Sequence, residues 1–213
     1  MVISLSGCKK EVIAVSKTTI VGWGDDLTYG VGGRDTTYLT ELAKLTGLQT
    51  YNMGAFSETS TQIKERMISD ESLHVYPTII WAGRYNTWHQ ETIKNDIAEM
   101  VASLGHSNYL ILGLINADNG LESKGRDNYN RIISINKALA GIYSDHFLDI
   151  RTYLVAQYNP QDAFDVKDHT LDIVPRSLRN GLLNLNAKGY RMVAGQVNTK
   201  INILRGDATA TTK

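Results

Sequence analysis

The stretch Thr18-Thr-Ile-Val-Gly-Trp-Gly-Asp-Asp-Leu-Thr-Tyr-Gly30 decides the fold of this chain. A short β-branched run leads into two glycines, which are followed by two adjacent aspartates and then a threonine. This pattern predicts a buried strand that ends in a tight turn and continues into a loop or a helix. Because open α/β sheets meet their ligands at the carboxyl ends of the strands, we expect Asp25 and Asp26 to lie at a functional site.

Strand and helix patterns alternate along the rest of the chain. Apolar runs predict further strands at 49–52, 75–82, 109–115 and 147–150, the last extended over 153–158. Apolar residues at helical spacing predict helices at 35–45 capped by Asp35, 57–69 capped by Ser57 or Thr59, 90–104, 127–143, and 187–204 capped by Asn186. Residues 159–181 are predicted to form a long loop. Five strands alternating with helices predict the α/β class, a three-layer α/β/α sandwich around a parallel sheet.

Length and charge narrow the classes of function. The 213 residues suit one domain with a full core, and we find neither an internal repeat nor a domain boundary. Lys and Arg together number 22, as do Asp and Glu, so the formal net charge is zero. The chain therefore has no basic stripe of the kind that binds nucleic acid or an anionic membrane. No stretch is long and apolar enough to span a bilayer.

The single cysteine, Cys8, lies in a stretch that resembles a bacterial lipoprotein cleavage box, Leu5-Ser-Gly-Cys-Lys-Lys10. We interpret residues 1–17 as a leader or tether, the remnant of a lipoprotein signal, and residues 206–213 as a polar tail. On this interpretation the protein is secreted or held in the cell envelope, and it touches a membrane only through a lipid anchor at Cys8. The alternative is a chance Ser-Gly-Cys in a disordered N-terminus, because the apolar run before Cys8 is short for a signal peptide.

Four blocks of sequence, in order and at suitable spacing, resemble the SGNH (GDSL) hydrolase family over about residues 18–204. They are Gly24-Asp-Asp-Leu-Thr28, Asn52-Met-Gly-Ala-Phe-Ser-Glu-Thr-Ser-Thr-Gln-Ile63, Ile79-Ile-Trp-Ala-Gly-Arg-Tyr-Asn86 and Ser177-Leu-Arg-Asn-Gly-Leu-Leu-Asn-Leu-Asn-Ala-Lys-Gly-Tyr190. The family consists of esterases and deacetylases, many of which act on carbohydrate esters. The resemblance implies an SGNH-hydrolase-like domain at 18–205, built on a flavodoxin-like five-stranded parallel sheet, with no cofactor.

The positions that carry the reaction in this family are substituted here. The resemblance places the nucleophilic Ser at Asp26, the oxyanion-hole Gly at Ser57 and the oxyanion-hole Asn at Tyr85. The family's Asp and His fall on Gly181 and Asn184. Acyl transfer needs a hydroxyl nucleophile, a base to take its proton and donors for the oxyanion, and Asn cannot act as a general base. We therefore expect a pseudoenzyme that has lost ester hydrolysis and keeps a cleft for a glycan or a small ester.

Two alternatives stay open at the level of sequence. The first is an active hydrolase of carbohydrate or lipid esters that uses unconventional groups. The second is a structural domain of the cell envelope or of a surface assembly, as the loss of the family's catalytic residues and the setting of Cys8 also permit.

Polar and aromatic side chains beside the four blocks are candidates for ligand contact: Asp25, Asp26, Ser57, Arg84, Tyr85, Asn86, Trp88 and Asn184. Asn86 is an alternative oxyanion donor next to Tyr85. The oxygens of Asp25, Asp26, Asn86 and Asn184 suit a hard cation. Capping and helix-terminus roles for the aspartates are favoured instead, so we expect no metal. Trp23 and Trp81 are predicted to be core residues. An alternative interpretation of Phe56 and Tyr85 is that they fill and close the pocket in which the family binds its substrate.

The histidines offer little as replacement bases. Three are predicted to be solvated at the edge of the sheet opposite the cleft: His74, His106 and His146. His89 is predicted to lie at the cleft end, on the surface at the start of a helix. His169, four residues after Asp165, belongs to the predicted long loop. A migrated Asp/His pair at that place is a less favoured interpretation.

Overall fold

A parallel sheet of five strands forms the centre of the computed structural model, which describes residues 14–207. The strands lie in the order β2-β1-β3-β4-β5. This order confirms the predicted flavodoxin-like sheet. The strands are β1 (Thr19–Gly24), β2 (Gln49–Gly54), β3 (Thr78–Trp81), β4 (Tyr109–Leu112) and β5 (Phe147–Leu148). β3 begins later than predicted, after Pro77, which has no backbone N–H to donate.

Helices cover both faces of the sheet, as the α/β/α prediction requires. They are α1 (Asp26–Tyr29), α2 (Tyr38–Thr46), α3 (Ser60–Ser69), α4 (Gln90–Leu104), α5 (Asp127–Tyr143), α6 (Ile150–Val155), α7 (Ala163–Thr170), α8 (Ala187–Asn198) and α9 (Ile201–Arg205). Ile20 of β1 packs in the core formed with α2, α6 and α8, and Val21 packs in the core formed with α3, α4 and α5. Alternation along β1 therefore feeds two separate cores. Trp81 and Trp23 are buried in these two cores, as predicted.

Side-chain caps decide where several helices begin. Thr59 accepts a hydrogen bond from Gln62 N and caps α3, and Asn186 accepts one from Gly189 N and caps α8. The prediction of Asp35 as the cap of α2 is wrong, because Thr37 forms a reciprocal capping box with Thr40.

The segment after β5 is more regular than predicted. Residues 153–158 do not extend the strand, because Asp149 caps α6 through Thr152 N. The predicted loop at 159–181 contains α7, capped by Asp162, and a 3₁₀ turn at Arg176–Leu178. The predicted helix 187–204 is divided into α8 and α9 at Thr199, whose hydroxyl bonds the Gln196 carbonyl.

Arg179 holds the segment 159–181 in place. Its Nε donates to the carbonyl of Val174, and its Nη1 donates to the carbonyl of Gly181. Its Nη2 lies 2.7 Å from Asp168 and 3.1 Å from Asp118. The side chains of Arg179 and Asp168 are both almost fully buried, at 2% and 1% exposed. An ion pair so deeply buried is sensitive to the loss of either partner.

Both ends of the described chain lie at the amino edge of the sheet, which is the edge opposite Asp25 and Asp26. Ser16 N donates to the carbonyl of Val75, just before β3. Asn108, just before β4, donates to the carbonyl of Leu204 in α9. The predicted tether 1–17 and tail 206–213 fall largely outside residues 14–207, and Cys8 lies outside them altogether.

The three histidines predicted for this edge do lie there. His106 Nε2 is 2.9 Å from the carbonyl of His74, and His146 Nδ1 is 2.9 Å from that of Tyr109. The prediction that they are solvated is wrong for His74, which is buried and contacts the Met67 carbonyl. Burial also lowers the pKa of His106.

We predict that Arg179→Ala lowers the free energy of unfolding by about 3–5 kcal/mol, because it leaves Asp168 charged and buried without its partner. Urea unfolding measures this loss. The matched control is Arg176→Ala, since Arg176 is 51% exposed and its nitrogen lies 3.9 Å from Asp118. The control is expected to cost about 1 kcal/mol or less. Equal losses in the two variants would contradict the role given to Arg179.

Candidate functional site

The site begins where β1 meets its neighbours at the carboxyl edge. Gly24 pairs with Gly54 of β2 and with Trp81 of β3. A Cβ at Gly24 would lie 2.6 Å from the Trp81 carbonyl oxygen, and one at Gly54 would lie 2.6 Å from Tyr29 Cα. Only glycine permits this approach, which brings α1 close to the ends of three strands.

Asp26 lies between two hydrogen-bond donors at this edge. Its Oδ1 accepts from Ser57 N at 2.6 Å, and its Oδ2 accepts from the Tyr85 hydroxyl at 2.6 Å. Ser57 has φ of +54°, in the left-handed region that favours glycine. The three positions at which the resemblance places the nucleophile and the oxyanion-hole residues therefore meet in one cluster, and the Asp26 carboxylate accepts hydrogen bonds from Ser57 and Tyr85.

Tyr85 is held as a neutral donor in this cluster. Partial burial raises its pKa to about 12, and the hydrogen bond to Asp26 and the charge of Asp26 add to the rise. The Ser57 side chain acts in the opposite direction. Tyr85 therefore stays protonated near neutral pH and donates a hydrogen bond to the Asp26 carboxylate.

Asp25 has a structural role and an unusual acidity. Its Oδ1 accepts from Leu27 N at 3.0 Å and caps α1, as the favoured capping interpretation requires. Burial raises its pKa to about 7, and the neighbouring charge of Asp26 contributes to the rise. The hydroxyls of Thr28 and Tyr38 are also buried and have no partner among residues 14–207. Asp25 is 1% exposed, so a ligand at the surface does not reach it.

Asn86 is tied to the start of α3 through Ser60. Its Nδ2 donates to Ser60 Oγ at 2.9 Å, and its Oδ1 accepts from Ser60 N at 3.1 Å. Ser60 Oγ in turn donates to Asp96 at 2.6 Å. Asn86 thus connects the segment after β3 to α3. An amide nitrogen has two N–H donors and one of them is used here, so the interpretation of Asn86 as a replacement donor stays a prediction.

Arg84 forms an ion pair with Glu122, a residue that sequence reasoning did not select. Its Nη2 lies 2.9 Å from both carboxylate oxygens, and the two side chains are 11% and 8% exposed. Glu122 also accepts from Ala117 N at 2.7 Å. The pair joins the loops that follow β3 and β4, and the Nε of Arg84 is buried with no partner among residues 14–207. The interpretation of Arg84 as a ligand contact stays a prediction.

Gly181 and Asn184 lie in the last block, and neither hydrogen-bonds Asp26 in the described chain. Gly181 is exposed and has φ of +80°. Asn184 packs beside Gly32, where an added Cβ would lie 3.3 Å from Asn184 Cβ. The Asn184 Oδ1 is buried and has no hydrogen-bond partner within residues 14–207. The last block therefore keeps its place without supplying a base.

Exposed aromatic side chains surround the carboxyl edge. Trp88, in the segment after β3, is 65% exposed. Phe56, after β2, is 59% exposed and packs against Tyr29 of α1 in a tilted arrangement, with ring centroids 4.2 Å apart. Phe56 lies largely in solvent, so the interpretation that it fills the old pocket is wrong. The Tyr85 hydroxyl reaches Asp26, and pocket filling by Tyr85 stays a prediction.

The remaining histidines do not supply a base near Asp26. His89 is exposed at the start of α4, as predicted. His169 stacks on Tyr158 at 3.9 Å, and its Nδ1 lies 3.1 Å from the Val155 carbonyl. The Asp165 carboxylate accepts from Asn159 N and from Ser177. Asp165 and His169 therefore do not pair, and no imidazole hydrogen-bonds Asp26 in the described chain.

The oxygen-rich residues do not form one cation site. Among residues 14–207 there is no group of three or more His, Cys, Asp or Glu side chains placed to hold a metal ion. The Asn86 oxygen is turned to Ser60, and one oxygen of Asp25 serves the cap of α1.

Among residues 14–207, no helix is long and apolar enough to cross a membrane.

Comparison with solved structures identifies the fold. A G-D-S-L-family protein from Desulfitobacterium hafniense aligns with a TM-score of 0.66 at 18% identity, over 86% of this chain and 99% of its own. A member of the lipolytic G-D-S-L family from Veillonella parvula aligns at 0.64 and 14%, over 85% and 97%. The C-terminal catalytic domain of Streptococcus pneumoniae peptidoglycan O-acetyltransferase A aligns at 0.56 and 15%, over 90% and 96%. No protein family model and no curated protein matches the sequence.

We predict that Asp25→Asn removes a pH-dependent loss of stability. Burial raises the Asp25 pKa from 3.8 to about 7, so the folded chain binds this proton more tightly than the unfolded chain. The contribution of Asp25 to the free energy of unfolding therefore falls between about pH 4 and pH 7 and is constant above that range. Asn keeps the capping oxygen. At about pH 8 the variant should be more stable by a few kcal/mol, at about 1.4 kcal/mol per pKa unit.

Urea unfolding between about pH 4 and pH 8 measures this difference, since other titrating groups cancel between wild type and variant. Asp35→Asn is the control, because Asp35 is exposed. Its pH profile should match that of the wild type. Parallel profiles for Asp25→Asn and the wild type would show that Asp25 ionises normally.

Proposed function

We propose that this chain, which has the fold of the SGNH (GDSL) hydrolases, is a non-catalytic protein that binds a glycan at its carboxyl edge. The observation that carries the proposal is the Asp26 carboxylate, held by Ser57 N and the Tyr85 hydroxyl at 2.6 Å each. In a working acyl-transfer site a hydroxyl takes the place of this carboxylate, and the donors are free to hydrogen-bond the oxyanion that develops in the transition state. Here a negative group of the chain itself already uses them.

The chemistry of the cluster supports the loss of hydrolysis. Asp26 has no hydroxyl, and an acyl-Asp would be a mixed anhydride that still needed a base for its hydrolysis. No imidazole of the described chain hydrogen-bonds Asp26, and Asn184 cannot titrate. In a comparable hydrolase the removal of the nucleophile or the base alone costs about a millionfold in kcat.

The surface around Asp26 supports a glycan as the ligand. Trp88, Phe56 and Tyr29 present exposed aromatic faces at the same edge of the sheet. Such faces bury large apolar area against the C–H faces of sugar rings at low conformational cost. One structural neighbour is by name a peptidoglycan O-acetyltransferase, an enzyme that acts on a glycan. Location in the cell envelope or outside the cell, with lipidation at Cys8, is part of this proposal and rests on the sequence.

We predict that the protein hydrolyses p-nitrophenyl acetate no faster than buffer. The informative comparison is a variant with Asp26→Ser, Gly181→Asp and Asn184→His together. The positive φ of Gly181 is one that Asp tolerates better than most residues. If this variant hydrolyses the ester and the wild type does not, the result would support an inactive site in a fold that still holds the catalytic positions in place. An active wild type that Asp26→Ala inactivates would overturn the proposal in favour of an esterase with a carboxylate mechanism.

We further predict that Trp88→Ala weakens binding to a retained glycan at least about tenfold, equivalent to about 1.4 kcal/mol. An array of cell-wall and storage polysaccharides finds the glycan, and calorimetry measures the affinity. Tyr51→Ala is the control, because Tyr51 is 43% exposed on the edge strand β2. Retention of no glycan, or equal affinities for wild type and Trp88→Ala, would favour the structural-domain alternative.

A further inference from the structure

A cavity lies beside the edge strand β5, three strands away from β1 and Asp26 in the order of the sheet. It has a volume of about 390 Å³ and lies between α5, α6 and the edge strand β5. β5 has two residues and no strand beyond it, so the edge is left open there. The volume falls within the range of small-molecule sites, roughly 300–1,000 Å³.

One side of this cavity is apolar. It is formed by Ile133 and Ala140 of α5 and Phe147 of β5. Phe147 belongs to the core shared with α5, which fixes this wall in place. A short hydrocarbon group would bury apolar area against these three side chains.

Arg151 supplies a buried cation to the wall of the cavity. Only 4% of its side chain is exposed, yet it lines the cavity. Its Nε donates to Asn116 Oδ1 at 2.9 Å, and its Nη2 donates to the carbonyl of Asp172 at 2.7 Å and pairs with the Asp172 carboxylate. Its Nη1 donates to no group in residues 14–207 and is not among their sealed, unpaired atoms. One donor of a rigidly held guanidinium is therefore left over.

Lys137 supplies a second cation to the same cavity. Lys137 is exposed on α5 and forms no ion pair with another described residue. One acid, Asp149, also lines the cavity, and its oxygens accept from Thr152 N at 3.0 Å and Thr152 Oγ1 at 2.7 Å. Asp149 is thus committed to the cap of α6. Asp172 balances the charge of Arg151, so the donors left for a ligand are Arg151 Nη1 and the Lys137 ammonium, which together suit one carboxylate group.

We infer that this cavity binds a small monocarboxylate with an apolar body. The carboxylate takes the free Nη1 of Arg151 and the Nζ of Lys137, because charge-assisted bonds from Arg to carboxylate are among the stronger hydrogen bonds. The hydrocarbon body lies on Ile133, Ala140 and Phe147. The inference is independent of the glycan proposal, since it uses neither the Asp26 cluster nor the exposed aromatic residues Phe56 and Trp88.

Three probes separate the two parts of this recognition. Hexanoate carries the charge and the body, acetate carries the charge alone, and hexanamide carries the body alone. In an amide NMR titration up to about 10 mM, hexanoate should shift the signals of Ile133, Lys137 and Thr152, with a Kd at least about tenfold below that of either other probe. No shift with hexanoate, or equal affinities for hexanoate and hexanamide, would overturn the inference.

Substitutions on the exposed side test the site without disturbing the Arg151 network. Lys137→Glu should weaken hexanoate binding at least about tenfold, since it replaces an attraction by a repulsion. Lys17→Glu, at an exposed lysine before β1, is the matched control and should bind as the wild type does. Ala140→Leu should also weaken binding by filling the apolar side. Unchanged affinity in both Lys137→Glu and Ala140→Leu would place the ligand elsewhere and refute the assignment.

Discussion

One carboxylate joins the segments that follow three neighbouring strands. Asp26 comes after β1, Ser57 after β2 and Tyr85 after β3, and both oxygens of Asp26 are used. The close approach that permits this contact depends on Gly24 and Gly54, where any side chain would collide with backbone. The cluster is therefore a structural link between the segments that follow β1, β2 and β3. Hydrogen bonds to a carboxylate are among the stronger ones, which favours this link.

Two ion pairs extend this fastening around the edge. Arg84 and Glu122 join the loops after β3 and β4, and Arg179 and Asp168 hold the last block against α7. Each pair is almost fully buried, so each depends on good geometry and on further hydrogen bonds to offset the loss of hydration. Asp25 lies in the same region and has no such partner, which explains why burial dominates its acidity. The site is thus bordered by largely buried ion pairs that join segments of the fold.

The sequence predicted a parallel sheet of five strands from local periodicity, and the resemblance of the four blocks implied its flavodoxin-like order. It also predicted the caps at Thr59 and Asn186 and the burial of Trp23 and Trp81, which follow from neighbouring residues. It did not predict the order in 159–181, because that order comes from Arg179 and its distant partners. The direction of the Asn86 side chain is a similar case. Its partner Ser60 is 26 residues away, and no local pattern distinguishes this pairing from a donor that faces the cleft.

The position of the two ends of the described chain has a consequence for how the protein meets its surroundings. Ser16 and Leu204 are both tied to the amino edge of the sheet. A chain immobilised at Ser16 or at Leu204 therefore turns Trp88 and Phe56 away from its support. β1 has six residues, so the aromatic edge stands roughly 20 Å beyond either point of attachment. A probe attached at either of these two residues leaves the aromatic edge unobstructed.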